Sequence, residues 1–163
     1  MNYHGIETDS MLNGDGLRVV LWVSGCNHHC FNCQNPQTWD EDSGILFDDS
    51  AEKELFEALN KSYIAGITFS GGDPLYPKNR EEVTRLAKKL KALYHNKTTW
   101  LYTGYLYEEV KELEIMQYID VLVDGEFIEA LKDNTLYWKG SSNQRVIDVK
   151  KTRELNQIVL HSV

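Results

Sequence analysis

The chain has 163 residues, 42% of them apolar and 26% charged, a balance that excludes disordered and fibrous classes and suits a single folded domain over residues 1–163. Seventeen Lys and Arg against 25 Asp and Glu leave a formal charge of -8, which argues against nucleic acid as a partner, since phosphate backbones are met by a basic stripe. The longest purely apolar run, VVLWV, is far too short to cross a bilayer, and MNYHGIETDS has no basic region ahead of an apolar stretch, so cytoplasmic residence without a membrane partner is expected.

The predicted elements alternate. LRVVLWVS (17–24) is β-branched and almost continuously apolar, as a strand buried on both faces would be. Asp49 with Glu52 offers a capping box, and Ala51, Leu55, Ala58 and Leu59 then share one face of a helix ending near Asn60. YIAGITFS (63–70) reads as the second strand. Asn79 and Glu82 open a helix in which Val83, Leu86, Ala87, Leu90 and Leu93 keep helical spacing to about Tyr94, with Lys88, Lys89 and Lys91 on a solvated face. TTWLYT (98–103) is a third strand, YEEVKEL a short helix and YIDVLVD (118–124) a fourth strand. NQRVIDV and NQIVLHS read as short strands near the end. The order predicts an α/β fold with a parallel sheet and right-handed crossovers. A complete eight-unit barrel takes about 250 residues, so a partial (βα) barrel or an open curved sheet is expected.

Parallel α/β sheets bind ligands at the carboxyl ends of their strands. Here the first strand is followed by all three cysteines, the second by SGGDP (70–74), the third by TGY (103–105) and the fourth by DGEF (124–127). Turns of this kind favour Gly, Asp and Pro in any case. Together with a cysteine cluster on the same rim, they make a ligand site the better explanation, with Gly71, Gly72, Asp73, Thr103, Gly104 and Asp124 as candidate contacts.

Cys26, Cys30 and Cys33 have the spacing C-x3-C-x2-C on one loop. An odd number of cysteines with no secretion signal favours metal or catalytic chemistry over disulfides. A closed zinc site would need a fourth ligand, from His28, His29 or a distant residue. An iron–sulfur cluster normally takes four cysteines, so three would leave one iron open to another ligand.

CNHHCFNC resembles the C-x3-C-x2-C motif of the radical S-adenosylmethionine (radical SAM) enzymes. NGDGLRVVLWVSGC, CQNPQTWD, TFSGGDPL, VDGEF and GSSNQRVID further resemble, in the same order, segments of the anaerobic ribonucleoside-triphosphate reductase activating proteins. The resemblance covers most of the chain. It implies that Cys26, Cys30 and Cys33 bind three irons of a [4Fe-4S] cluster, with the fourth iron taking the amino and carboxylate groups of S-adenosyl-L-methionine. Gly71, Gly72 and Asp73 match the motif that contacts the methionine amino group. Many members have Glu where this chain has Asp73, and an aromatic where it has Asn32, so Phe31, one position earlier, would shield the cluster or pack against adenine. The implied activity is reductive cleavage of S-adenosylmethionine. The resulting 5′-deoxyadenosyl radical would take hydrogen from a glycine of the large subunit of anaerobic ribonucleotide reductase, with a low-potential donor of the flavodoxin or ferredoxin type supplying the electron.

Other residues have plainer readings. His28 and His29 read as polar loop filler, and Trp39 as packing under the cysteine loop. Arg18 either pairs a rim carboxylate or braces the first strand. Asn143 and Arg145 either form a docking surface or contact the cofactor. Two alternative functions stand beside the main one: a radical SAM enzyme acting on another glycyl-radical protein or a small molecule, and a non-catalytic zinc or iron–sulfur module.

Overall fold

The computed structural model describes residues 1–162. Its strands are β1 (Asn2–Ser10), β2 (Arg18–Val23), β3 (Ile45–Leu46), β4 (Gly66–Gly71), β5 (Thr98–Tyr102), β6 (Val121–Asp124) and β7 (Arg145–Asp148). They form one seven-stranded sheet in the order β3-β1-β2-β4-β5-β6-β7. The central strands β2, β4, β5 and β6 run parallel, as the alternation of strands and helices requires. On either side the pairing is antiparallel, β1 on β2, β3 on β1 and β7 on β6, so the sheet is mixed rather than parallel. The sheet is open and does not close into a barrel.

Helices α1 (Asp49–Leu59), α2 (Arg80–Leu93), α3 (Tyr107–Val110) and α4 (Val149–Leu155) contribute to one apolar layer. Ala51, Leu55, Ala58 and Leu59 of α1 and Val83, Leu86, Ala87 and Leu90 of α2 are buried there, on the predicted faces. Val19, Leu21, Val23, Ile67, Phe69, Leu101 and Leu122 meet them from the strands. Burying a Leu or Val side chain contributes about 1.5–3 kcal/mol, so this layer is the main source of cohesion. Leu93, predicted to share it, is 55% exposed at the end of α2.

Because side chains alternate along a strand, Arg18, Val20 and Trp22 of β2 point to the opposite face. Trp22 is in register with Ser70, and Phe69 with Leu101, which sets Ser70 beside Tyr102. This second face holds a smaller cluster of Trp100, Val121, Val123 and Val146, with Tyr102 and Trp138 against it. Arg18 lies wholly buried and braces the strands rather than the rim. It donates to Thr68 Oγ1 (2.9 Å), Thr98 Oγ1 (2.9 Å) and the carbonyls of Asp15 (3.0 Å), Ile67 (2.8 Å) and Thr98 (2.7 Å).

Local details differ from expectation at three places. The N-cap of α1 is Asp48, whose carboxylate accepts from Ala51 N–H at 2.9 Å, not Asp49. Asn79 does not cap α2 with its side chain, which donates instead to Ser24 O (2.8 Å) and Asp73 O (3.1 Å). Of the two predicted terminal strands, NQRVIDV yields β7 and then bends into α4, while NQIVLHS contributes only an isolated bridge between Leu160 and Ile147. Among the described residues no helix is long and apolar enough to cross a membrane.

Candidate metal and cofactor site

The cysteine loop leaves the end of β2 and is tied at its base, where Gly25 N–H donates to Thr38 O (2.7 Å) and Cys26 N–H to Trp39 O (3.1 Å). Inside it, Cys33 N–H donates to Cys30 O (3.0 Å), and His29 and Asn32 take positive φ, +49° and +55°. Asn tolerates that conformation better than most side chains, which suits Asn32 to its place. Trp39 stacks on His29 at 4.5 Å, consistent with packing against the loop.

The SGGD turn is fitted against this base. Gly72 N–H donates to Val23 O (2.8 Å) and Asp73 N–H to Gly25 O (2.7 Å). Gly71 has φ +117°, and a Cβ there would fall 2.4 Å from Val23 O. A Cβ on Gly72 would fall 2.5 Å from Gly25 O. Only glycine permits this approach. Asp73, 1% exposed, then gathers the strand ends. Its Oδ2 accepts from Thr103 Oγ1 (2.9 Å), Gly104 N–H (3.0 Å) and His28 Nε2 (2.7 Å), and its Oδ1 from Leu75 N–H (2.8 Å). His28 Nδ1 faces Glu126 Oε1 at 3.3 Å. The Asp73 hydrogen bond, opposed by burial and helped by Glu126, raises the His28 pKa from its ordinary value.

A cavity of about 510 Å³ opens beside these groups, and Cys26, Cys30, Cys33, Gly71, Gly72, Asp73, Thr103 and Gly104 all line it. Eight of the ten cofactor and metal candidates thus meet at one place with Asp73 at their centre. Asp124 and Phe31 do not line it. Asp124 is fully buried, with its carboxylate held by Tyr107 N–H (2.8 Å) and by Arg145 (2.5 Å), because β6 directs it inward. Phe31 is 76% exposed on the outer side of the loop. Arg145 also grips Glu108 at 2.7 Å, and Asn143 Nδ2 donates to Glu126 O at 2.8 Å, so both are spent on internal bonds. The cavity extends over the second face of the sheet along Trp22, Ser70 and Tyr102, none of which the sequence reading singled out. Their signal was the strand alternation itself, which puts residues in register on neighbouring strands on one face.

The donor set suits an iron–sulfur cluster. All three thiols are free and face one cavity. A four-iron cube takes thiolates at separate corners. Burial pushes the Cys26 thiol up to about 11 and also raises Cys30, so protons leave these groups when a metal replaces them. Asn35 N–H donates to Cys33 Sγ at 3.4 Å.

Comparison with known proteins agrees with this geometry. The family described as "4Fe-4S single cluster domain" matches residues 12–147. Proteins named anaerobic ribonucleoside-triphosphate reductase-activating protein are similar along nearly their whole length. The one from Enterobacteria phage T4 is 48% identical over 146 residues, covering 90% of this chain and 93% of the relative. The one from Escherichia coli (strain K12) is 41% identical over 150 residues, 90% and 97% of the two chains. That of Haemophilus influenzae is 40% identical over 148 residues, 88% and 96%.

Proposed function

The chain belongs to the anaerobic ribonucleoside-triphosphate reductase-activating proteins, and we propose that it activates an anaerobic (class III) ribonucleotide reductase with a [4Fe-4S] cluster and S-adenosylmethionine. One observation carries the reading: the three thiols share a cavity with the Gly71-Gly72-Asp73 turn at the carboxyl ends of parallel strands. On this reading Cys26, Cys30 and Cys33 hold three irons. The backbone of Gly71 and Gly72 receives the methionine amino group. Asp73, already committed to four donors, keeps that turn in place beside Thr103 and Gly104. The Trp22, Ser70 and Tyr102 row offers a wall with an apolar body and hydroxyl groups, suited to a ligand that is part aromatic and part polyol.

When bound, the cluster and S-adenosylmethionine supply reductive cleavage to a 5′-deoxyadenosyl radical that takes hydrogen from a glycine of the reductase. The chain's own part is to position these groups and keep water from them. A flavodoxin- or ferredoxin-type protein delivers the electron. Residues 1–163 act as one radical SAM domain in the cytoplasm.

The test is electron paramagnetic resonance on anaerobically reconstituted, dithionite-reduced protein, with and without S-adenosylmethionine, followed by addition of an anaerobic reductase. The expected result is a reduced four-iron signal that changes shape with the cofactor, then a glycyl radical on the reductase. Stoichiometric zinc with no iron signal would overturn the reading.

A further inference from the structure

We propose that His28 is a positioning residue, the clasp that fixes the cysteine loop against the strand-end turns. The proposal rests on the function above. Read from sequence as loop filler, His28 has a side chain only 9% exposed, with both ring nitrogens facing carboxylates, Nε2 on Asp73 at 2.7 Å and Nδ1 on Glu126 at 3.3 Å. Its ring also meets the edge of Tyr105 at 4.6 Å. Gly104 is shaped to admit it: a Cβ there would lie 2.5 Å from the His28 Cδ2. One side chain from the loop after β2 thus touches the turns after β4, β5 and β6.

Alternative tethers are few. Among the described residues from Asn27 to Gln34, the other side-chain contacts with a neighbouring turn are those of Cys30 Sγ alone, with Glu126 Oε2 at a long 4.0 Å and with the Phe127 backbone N–H. Asp73, in contrast, does not need His28, because Leu75 N–H, Thr103 Oγ1 and Gly104 N–H still satisfy its carboxylate. Removing the imidazole therefore frees the loop while leaving the sheet and the SGGD turn paired. A residue holding the fold together would do the reverse.

The experiment compares wild type, His28→Ala and His28→Gln; the glutamine amide is able to donate to Asp73. In the metal-free protein, amide hydrogen exchange over residues 26–35 is expected to speed up about tenfold in His28→Ala, the factor that one hydrogen bond to a charged group is worth, and to return toward wild type in His28→Gln. Exchange in β4 and β5 should stay unchanged. After anaerobic reconstitution, the change in the reduced signal on adding S-adenosylmethionine should be altered in His28→Ala and restored in His28→Gln. Wild-type exchange and an unaltered spectrum in His28→Ala would overturn the proposal, as would a glutamine variant no better than alanine. If wild type takes up no four-iron cluster, the functional reading fails, while exchange in the metal-free chain still decides the role of His28.

Discussion

Arg145 closes over Asp124, its Nη2 2.5 Å from the Oδ2 of a carboxylate that has no solvent exposure, and its Nε 3.1 Å from the Oδ1. The pair joins β6 to β7 just below the DGEF turn, which is why a carboxylate expected on the rim is internal. Tyr107 N–H supplies the only other donor to that side chain among the described residues.

Removal of Arg145 leaves a buried charge with one hydrogen bond. Arg145→Ala is expected to cost about 3 kcal/mol, the lower end for breaking a buried pair, since the guanidinium itself is partly exposed. Urea unfolding of the metal-free chain measures it. A loss under about 0.5 kcal/mol, the level of an ordinary surface substitution, would mean that Asp124 is stabilised in some other way.

Gly72→Ala tests the fit between the SGGD turn and the cysteine loop. The added methyl would stand 2.5 Å from Gly25 O and 2.8 Å from Thr38 O, backbone atoms at the two ends of that loop. An expected loss of about 2–4 kcal/mol should come with reduced iron uptake on reconstitution. Gly5→Ala is the control, because a Cβ there meets nothing within 4 Å. Equal midpoints in urea for the two variants would refute the steric argument.

Stability at acid pH should depend on Glu52. Arg85 foremost, and then Lys89, hold its carboxyl below the ordinary 4.5. The folded value lies under the unfolded one, so the contribution is fully present above pH 4.5 and is lost as pH falls through the lower folded value. Glu52→Gln should therefore flatten the fall in stability across that window while changing stability at neutral pH by less than about 1 kcal/mol. Salt should shrink the difference between the two proteins. Parallel acid curves for variant and wild type would show that the pair does not titrate with folding.

The parallel strands could be read from sequence because burial on both faces demands continuous apolar residues, as in Val19 to Val23. The cysteine spacing and the glycines after each strand were equally legible, since close backbone approach leaves few choices of residue. β1 was not, because Asn2–Ser10 is largely polar and half exposed and pairs with register shifts near Gly5 and Glu7. The shift of the α1 cap from Asp49 to Asp48 reflects two adjacent acids, either of which suits the position. His28 and Asp124 were misjudged for one reason. The role of a polar side chain next to a turn depends on which partner the tertiary fold brings to it, and local spacing carries no record of that.

The cavity also has a history within each molecule. Its wall runs from Leu12 to Gln144, and the strands that support it pair residues distant in the chain, Arg18 with Gly66, Gly66 with Thr98 and Trp100 with Val121. Pairings of such sequence separation form slowly, since each closes a long loop before it gains contacts. The cysteines emerge early in synthesis, yet Asp73 reaches them only when β4 pairs with β2, and Thr103 and Gly104 only when β5 joins β4. A chain interrupted before β4 would therefore display three thiols with no Gly71-Gly72-Asp73 turn behind them.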